Sequence, residues 1–236
     1  MRLPLIAALL MSLGGCVTTY PAPPPVAMAE APDPRPPAEA AARTFLSVVA
    51  RGEPVAEEIC RTRGAVRNCD FRIVVDDRPG QPPNAFQTVD SGGRPVIGFT
   101  LALIADARNP DELAFVLGHE AAHHIAGHIP RRQDQALTGA LVAGVLAQAS
   151  GLTPDEVRAA QNLGAEVAAR GYSKDFELEA DALGAEIALL SGYDPIRGTG
   201  FFDRLPDPGD RFLGSHPPNA QRKAQVMATV RRLQGA

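Results

Sequence analysis

Two histidines, His119 and His123, stand four residues apart within residues 117–128, and Glu120 directly follows the first of them. On an α-helix, positions i and i+4 lie about 40° apart around the axis and roughly 6 Å apart along it, so both imidazoles can reach one tetrahedral metal ion. Glu120 points slightly off that line, from where its carboxylate can reach a water on the metal without binding the metal. The spacing therefore predicts a helix that carries a zinc site and a water-activating base.

The flanking residues predict the helix that this spacing requires. Asn109 is a good N-cap, Pro110 suits the first helical position, and the two acidic residues after it lie where the helix dipole favours negative charge. Pro130 disfavours a longer helix, so we expect the helix to run from about 110 to 129. A His-Glu-x-x-His string alone occurs by chance in unrelated proteins, and this helical context is what favours a genuine zinc site.

A second helix can supply the ligand that two histidines and a water leave missing. Ser173 can cap this helix and Gly192 can end it. Glu177 and Asp181 are four residues apart and share a face, whereas Glu179 lies about 200° round from Glu177 and is expected to face solvent. We predict Glu177 as the third zinc ligand and Asp181 as the acceptor of the spare N–H of a ligating histidine. The alternative is a solvated acidic face, which the pairing with the first motif disfavours.

The two motifs together resemble a known peptidase family. About fifty residues after the His-Glu-x-x-His string, residues 173–184 read Ser-Lys-x-x-Glu-x-Glu-Ala-Asp-x-x-Gly. Further matches follow in the family's order: Asn84-Ala85-Phe86, Gly98-Phe99, Gly192-Tyr193-Asp194-Pro195, Phe201-Phe202, Ser215-His216-Pro217-Pro218 and Arg222. Over residues 84–222 the sequence thus resembles the gluzincin metallopeptidases typified by the CAAX prenyl endopeptidase, HtpX and the bacterial outer-membrane proteases related to BepA.

This resemblance implies an α+β, mainly helical zincin-like metallopeptidase domain with a small β-sheet and hairpin next to the HExxH helix. It implies one Zn²⁺ per chain, held by His119, His123 and Glu177, since the first Glu of the Glu-x-x-x-Asp string is the family's ligand. Glu120 is then expected to take a proton from the attacking water and to pass it to the leaving amine. The implied activity is cleavage of polypeptide chains, in quality control of misassembled envelope proteins.

Two departures from the family pattern are visible. Lys174 stands where the family usually has Arg, which we expect to matter little. No tetratricopeptide-like repeats follow before Ala236, so the sequence resembles the short bacterial lipoprotein members without a repeat domain.

Three further histidines need an interpretation. His216 resembles the family's late His-Pro histidine, and two opposed roles stay open for it. It can stabilise the oxyanion of the tetrahedral intermediate, or it can occupy the open coordination position of the zinc and inhibit the enzyme. His124 and His128 are rotated by about 100° or more from the ligand face, so we expect them to have structural roles.

The N-terminus predicts a location. Arg2 precedes an apolar run from Leu3 to Leu13, which is too short to span a bilayer, for which about 20 residues are needed. Leu-Gly-Gly-Cys at residues 13–16 has the form of a bacterial lipoprotein signal box, so we expect cleavage of residues 1–15 and lipidation of Cys16. Val17, rather than Asp, after the cysteine favours the outer membrane, with the enzyme on its periplasmic side.

Residues 16–38 form a predicted tether between the lipid and the enzyme. Eight prolines lie between Val17 and Ala38 among very few large aliphatic residues, so this segment cannot build a core. As polyproline II it would reach up to about 70 Å at ~3.1 Å per residue. We therefore expect one metallopeptidase domain over residues 39–236.

The cysteines agree with an oxidising compartment. With Cys16 assigned to lipid, Cys60 and Cys69 remain as a pair. A disulfide closing that short loop would stabilise the fold by roughly 2.5 kcal/mol on a loop-entropy model. The alternative of a cysteine metal site is disfavoured, because no further Cys or His lies nearby in sequence.

Hydrophobic patterns predict the remaining elements. We expect a helix from about 40 to 51, a strand at Phe71–Val75, and a hairpin of Ala85–Val89 with Arg94–Phe99. The hairpin edge can bind the backbone of an extended substrate, although a hairpin that merely covers the core is equally compatible. The apolar run at residues 136–149 favours a buried helix over a membrane-facing or substrate-gating one.

These residues lead to one expected function and one alternative. The expectation is a zinc endopeptidase, lipid-anchored in the outer membrane, that hydrolyses unfolded or misassembled envelope proteins. The alternative is a tethered chaperone or assembly adaptor with little proteolysis, which the intact Glu120 disfavours because a binding protein needs no base. A net charge of −4 without a basic patch gives no indication of nucleic-acid binding.

Overall fold

The computed structural model describes residues 35–171, 173–207, 209 and 216–235. The predicted signal segment 1–15 and the tether up to residue 34 lie outside the described residues, as does Cys16. The described part is mainly helical with one small sheet, which confirms the expected fold class. In chain order its elements are α1 (Ala38–Arg63), β1 (Arg72–Asp76), β2 (Ala85–Val89), β3 (Pro95–Thr100), α2 (Leu101–Asp106), α3 (Pro110–Ile125), α4 (His128–Ala149), α5 (Pro154–Gly171), α6 (Ser173–Leu190), α7 (Pro195–Gly198), a 3₁₀ helix (Thr199–Arg204) and α8 (Asn219–Gln234).

The sheet has the strand order β1-β3-β2. β1 runs parallel to β3, and β2 runs antiparallel to β3 across the tight turn at Asp90–Arg94. β3 is buried along its whole length, as expected for the central strand of the sheet. Among the described strands β2 pairs only with β3, and its free edge lies on the side of α3. The predicted strand and hairpin are confirmed to within one residue at each end.

α3 lies at the centre of the core. Its side chains pack against α1 on one side and against α6 on the other, and the sheet covers a third side. Phe45 of α1 meets Phe99 of β3 edge to face, with 5.0 Å between the ring centroids. A Cβ added at Gly52 of α1 would lie 2.5 Å from the Leu117 side chain of α3, so the glycine lets these two helices pack closely. The zinc motif is therefore carried by the most enclosed helix of the domain.

The C-terminal end of α1 is fixed by the Cys60–Cys69 disulfide, which confirms the predicted pair. Both cysteines are buried, and their Cα atoms are 5.6 Å apart. The bond joins α1 to the segment that leads into β1.

Two predicted helix boundaries are wrong. α3 ends at Ile125 and not near residue 129, because Gly127 takes a left-handed conformation with φ of 66° that starts a new helix at His128. Pro130 then lies in the first turn of α4, where a missing N–H costs nothing. α1 continues past residue 51 to Arg63 and contains Pro54, so burial of its second half outweighs the hydrogen bond that this proline removes.

The expectation that residues 136–149 form a buried helix is also wrong. α4 and α5 form a hairpin, and α4 contacts its partner closely through small residues such as Gly139, Ala143 and Gly144. Its larger side chains point outward, and Leu137 and Leu141 are 70% and 66% exposed. A continuous apolar run does not predict which face of a helix is buried, because it has no polar side to mark the exposed face. Here the smallest residues of α4 make the contact with α5. Within the described residues, no helix combines the length and apolar character needed to cross a membrane.

Candidate active site

The first half of the site lies on α3. The Asn109 side chain accepts a hydrogen bond from the Glu112 backbone N–H at 3.1 Å and so begins the helix where the sequence predicts. His119 and His123 then lie one turn apart, with their Nε2 atoms separated by 3.1 Å. Both rings face α6.

The second half of the site comes from α6, which lies against α3 at backbone contact distance. A Cβ added at Gly118 would lie 2.5 Å from the Gly184 carbonyl oxygen, and one added at Gly184 would lie 2.7 Å from the His119 nitrogen. Only glycine permits this approach. It brings the Glu177 and Asp181 carboxylates within reach of the α3 histidines.

Three side chains form a cluster that can hold a metal ion: His119, His123 and Glu177. Glu177 Oε1 lies 3.4 Å from His123 Nε2, and Glu177 Oε2 lies 3.6 Å from His119 Nε2. Ligands at the usual zinc distances in a tetrahedral site are separated by about 3.4 Å. The nitrogen and oxygen donors and their separations therefore both fit Zn²⁺.

Asp181 lies behind the cluster and contacts the other side of His119. Its Oδ1 is 3.0 Å from His119 Nδ1, and its side chain is fully buried. A buried carboxylate in this place accepts the Nδ1–H and leaves Nε2 free to bind metal. This is the contact that the i, i+4 spacing of Glu177 and Asp181 predicts.

The positive charge of Arg222, in α8, lies between the carboxylates of Asp181 and Glu177. The sequence alone predicted no role for this residue. Its Nε and Nη2 donate to both oxygens of Asp181 at 2.7 and 2.6 Å, and its Nη2 lies 3.5 Å from Glu177 Oε2. The guanidinium also lies 4.3 Å from the Phe202 ring centroid. A signal was present, because Arg222 lies four residues before Val226 on the buried face of α8.

Burial and charge set the protonation of the site. Burial alone would raise the pKa of Glu177, but hydrogen bonds from His123 and His216 and the charges of His119 and Arg222 hold that pKa well below its usual range. Burial opposes ionisation of Asp181 too, yet the hydrogen bonds from Arg222 and His119 lower its pKa. Both carboxylates are thus ionised, as metal binding and histidine orientation require.

Glu120 behaves differently from these two carboxylates. Burial raises the pKa of its carboxyl, while the positive charges of His119 and His123 oppose that rise. A raised pKa suits a group that must accept a proton and release it again near neutral pH. Glu120 lines the cavities on both sides of the cluster, so its carboxylate faces the space where a substrate would lie.

His216 lies next to a proposed ligand. Its side chain is about half exposed, and its Nδ1 is 3.0 Å from Glu177 Oε2. Its neighbour Ser215 is outside the described residues. The ring lines the same cavities as Glu120, and it is not one of the three side chains that cluster as metal ligands.

The structure divides the two remaining histidines. His124 Nε2 lies 2.7 Å from the Asn68 carbonyl oxygen, away from the cluster, as expected for a structural residue.

His128, however, has its Nδ1 2.8 Å from His123 Nδ1, a contact that the sequence did not indicate. Glu179 is exposed, as expected, and its Oε2 also lies 3.2 Å from His128 Nε2 and 2.8 Å from Arg131 Nη1. Burial lowers the pKa of His128 to about 4, so this ring is neutral at physiological pH.

A cleft passes the cluster along the free edge of β2. On one side is a cavity of about 370 Å³ with a largely apolar wall, made by Leu103, Phe115, Val116, Phe202 and Leu205. On the other side is a more polar cavity of about 520 Å³ that Gln87 and Thr88 of β2 line. The proposed ligands and Glu120 thus lie in the middle of a cleft that an extended chain can enter from both ends.

The fold and the clustered residues together define a metallopeptidase of the HExxH class. The model of Peptidase family M48 matches residues 49–230, so the chain belongs to this family of zinc-dependent metalloendopeptidases. Zinc is the cofactor of the family, and its polypeptide substrates follow from the same membership.

Two curated relatives agree with this assignment. The chain is 27% identical over 136 residues to "Mitochondrial metalloendopeptidase OMA1" of Arabidopsis thaliana, a match that covers 56% of this chain and 27% of the relative. It is 28% identical over 126 residues to a "Putative beta-barrel assembly-enhancing protease" of Vibrio cholerae, covering 49% of this chain and 25% of that protein. The matched part thus spans about a quarter of each relative.

Proposed function

We propose that this chain is an endopeptidase that cleaves unfolded or misassembled envelope proteins from the periplasmic face of the outer membrane. The observation that carries the proposal is the cluster of His119, His123 and Glu177 at zinc-like separations, with Glu120 beside it in an open cleft. A structural zinc site would fill its fourth position with another Cys or His. A binding protein would have no need of the carboxylate.

The mechanism follows from the positions of these side chains. His119, His123 and Glu177 would hold Zn²⁺, which would supply polarisation of the scissile carbonyl and a lower pKa for the attacking water. Glu120 accepts the proton of that water and then donates it to the leaving amine nitrogen. Asp181 and Arg222 keep the His119 ring oriented with its Nε2 toward the cluster.

The cleft supports an extended substrate. Among the strands that the structure describes, β2 pairs on one side only, and a substrate strand can add to its other edge, beside the cleft, through main-chain hydrogen bonds. This mode of binding requires a segment without stable secondary structure. It therefore favours unfolded or misassembled proteins over folded ones.

The location rests on Cys16 and on the Vibrio relative, whose name refers to β-barrel assembly. Lipidation at Cys16, followed by the proline-rich segment, would hold the domain near the membrane with room to reach substrates. Cys16→Ala is expected to release the protein from the outer-membrane fraction while the Cys60–Cys69 disulfide still forms. A variant that stays in that fraction at the wild-type level would require another anchor.

His216 is proposed as a catalytic residue that contacts the reacting carbonyl. Its half-exposed ring lines the cleft and already hydrogen-bonds Glu177, so a small movement can direct it to the oxyanion. His216→Ala is expected to slow turnover by roughly 10²-fold with unchanged zinc affinity. A faster variant would instead identify His216 as an inhibitory zinc ligand, and an unchanged rate would remove it from the site.

The experiment that tests the function compares wild type with Glu120→Gln on an unfolded, fluorescently labelled protein. The variant is expected to keep one zinc per chain and to lose roughly 10²- to 10⁴-fold in cleavage rate. Chelation should abolish the wild-type activity, and zinc should restore it. If Glu120→Gln cleaves like wild type, the assignment of the base fails. If the wild type binds the unfolded protein without cleaving it, the adaptor alternative holds.

A further inference from the structure

The two proposed histidine ligands have different partners behind them. His119 Nδ1 meets a buried carboxylate directly, at 3.0 Å from Asp181 Oδ1. His123 Nδ1 instead meets a second imidazole, at 2.8 Å from His128 Nδ1. The carboxylate is found one step further on, where His128 Nε2 lies 3.2 Å from Glu179 Oε2.

The turn between α3 and α4 makes this contact possible. Gly127 takes a left-handed conformation with φ of 66°, which reverses the chain and places His128 at the first position of α4, back against His123. A continuous helix through these positions would rotate the His128 side chain well away from His123.

If His123 binds the metal through Nε2, only one arrangement of protons is possible along the hydrogen bonds from His123 through His128 to Glu179. A neutral imidazole that coordinates through Nε2 carries its proton on Nδ1, so His123 must donate to His128 Nδ1. His128 Nδ1 must then accept, and its own proton lies on Nε2. That Nε2–H donates in turn to the Glu179 carboxylate, an acceptor without a proton to offer.

The members of this chain are also held in place by packing. The His128 ring stacks on Phe176 of α6, with 4.5 Å between centroids and 12° between planes. The Arg131 guanidinium lies 4.5 Å from the centroid of the same Phe176 ring, and its Nη1 donates to Glu179 Oε2 at 2.8 Å. The buried His128 ring therefore has a defined plane, and the half-exposed Glu179 carboxylate is shared between His128 and Arg131.

We infer that His128, supported by Glu179, is a positioning residue for the zinc ligand His123. His128 fixes the tautomer and the plane of the His123 ring. Because the Glu179 carboxylate accepts the His128 Nε2–H, His128 is a stronger acceptor for His123, and the His123 Nε2 becomes a stronger metal ligand. The inference depends on the proposed role of His123 as a ligand. His128, at the start of α4, would thus support His123 as Asp181 supports His119.

Variants at His128 can separate positioning from packing. His128→Phe keeps an aromatic ring to stack on Phe176 but removes the acceptor. His128→Asn places an amide oxygen close to the position of Nδ1 and restores an acceptor without the ring. His124→Phe is the matched control, since His124 is a nearby histidine whose ring nitrogens contact Asn68 and Gln87 and not the cluster.

The readouts are zinc affinity, measured with a competing chelator, and the visible spectrum of the Co²⁺-substituted protein. We expect His128→Phe to weaken zinc binding by about 10- to 100-fold and to shift the Co²⁺ bands. His128→Asn should stay within about threefold of wild type, as should the control His124→Phe. Zinc binding by His128→Phe at wild-type affinity with an unchanged spectrum would overturn the inference. Equal losses in His128→Phe and His128→Asn would also overturn it, because packing would then explain the effect.

A measurement on the wild-type protein keeps the inference testable if His128→Phe does not fold. Two-bond ¹H–¹⁵N spectra of the zinc-loaded protein report the tautomer of each imidazole. The inference requires a proton on Nδ1 of His123 and on Nε2 of His128, and the reverse tautomer at His128 would exclude it. Failure of the His123 assignment looks different, because His123→Ala would then bind zinc as tightly as wild type. Failure of the proposed function would appear only in the cleavage assay, with the zinc affinities and the tautomers unchanged.

Discussion

Two pairs of helices in this molecule pack through facing glycines. α3 and α6 meet at Gly118 and Gly184, where an added Cβ on Gly184 would lie 2.7 Å from the His119 nitrogen. α4 and α5 meet at Gly139 and Gly164, where an added Cβ on Gly139 would lie 2.5 Å from the Ala168 Cβ and closer still to the Gly164 carbonyl. In both pairs the missing side chains let the two backbones come into contact.

The surroundings of the two pairs are different. On α3 the side chains of Leu113 and Leu117 are buried, and α1 and the sheet cover the faces that α6 leaves free. On α4 the side chains of Leu137 and Leu141 are mostly exposed, and the hairpin makes few contacts with the rest of the domain. The same packing device thus fixes metal ligands in the first pair, because the core prevents any adjustment, and fixes only the hairpin itself in the second.

The largest effect is expected from Gly184→Val. The new side chain would collide with the backbone of His119 and Gly118, so α6 must move away from α3 and take Glu177 with it. We expect a loss of about 3 kcal/mol or more in the free energy of unfolding, together with loss of stoichiometric zinc. Urea denaturation and metal analysis measure both. Gly171→Ala is the control, since no atom lies within 4 Å of its added Cβ.

Removal of the metal is expected to have the next largest effect on stability. It should act on α3 and α6 alone, because these helices carry the proposed ligands. Zinc at 100 times its dissociation constant stabilises a folded protein by about 2.7 kcal/mol, so a chelator should lower the melting temperature of wild type by several degrees. Glu177→Ala has already lost a ligand and should respond little. An equal response of the two proteins to the chelator would place the zinc elsewhere.

Gly139→Val is expected to act on the hairpin alone. Its side chain would separate α4 from α5, and amide hydrogen exchange in residues 135–165 should become faster by at least tenfold, or about 1.4 kcal/mol of local stability. Zinc affinity should change by less than about twofold, because Gly139 lies roughly three turns beyond the first turn of α4, where His128 contacts His123. A tenfold loss of zinc affinity would show that the hairpin and the site are coupled along α4.

The same comparison explains which parts of the molecule the sequence predicted. His119, His123, Glu177 and Asp181 were predictable because each pair is four residues apart on one helix, and the helix period alone decides which side chains share a face. The β2–β3 hairpin was predictable for a similar local reason, since its Gly-rich turn lies between two short segments rich in β-branched and aromatic residues.

Other features depend on contacts between segments that are distant in sequence. Arg222 reaches Asp181 from a helix 41 residues further along, and no local pattern specifies that partner. His128 meets His123 only because Gly127 adopts a positive φ, which a glycine permits but does not require. Leu141 is exposed because no other element among the described residues packs on that face of α4, and the sequence of α4 does not specify which elements pack against it.

Leu141→Glu is expected to have the smallest effect and tests the exposed side of the comparison. The Leu141 side chain is 66% exposed, so the substitution removes little buried apolar area, and Leu and Glu have similar helix propensities. The free energy of unfolding should therefore change by less than about 0.5 kcal/mol, whereas Leu117→Ala on α3 should lose about 2–5 kcal/mol. Urea denaturation of both variants at one protein concentration provides the comparison. A loss above about 1.5 kcal/mol in Leu141→Glu would mean that this face is covered in solution. Repeating the measurement at tenfold lower concentration would then distinguish a second copy of the chain, whose contribution falls on dilution, from a segment of the same chain, whose contribution does not.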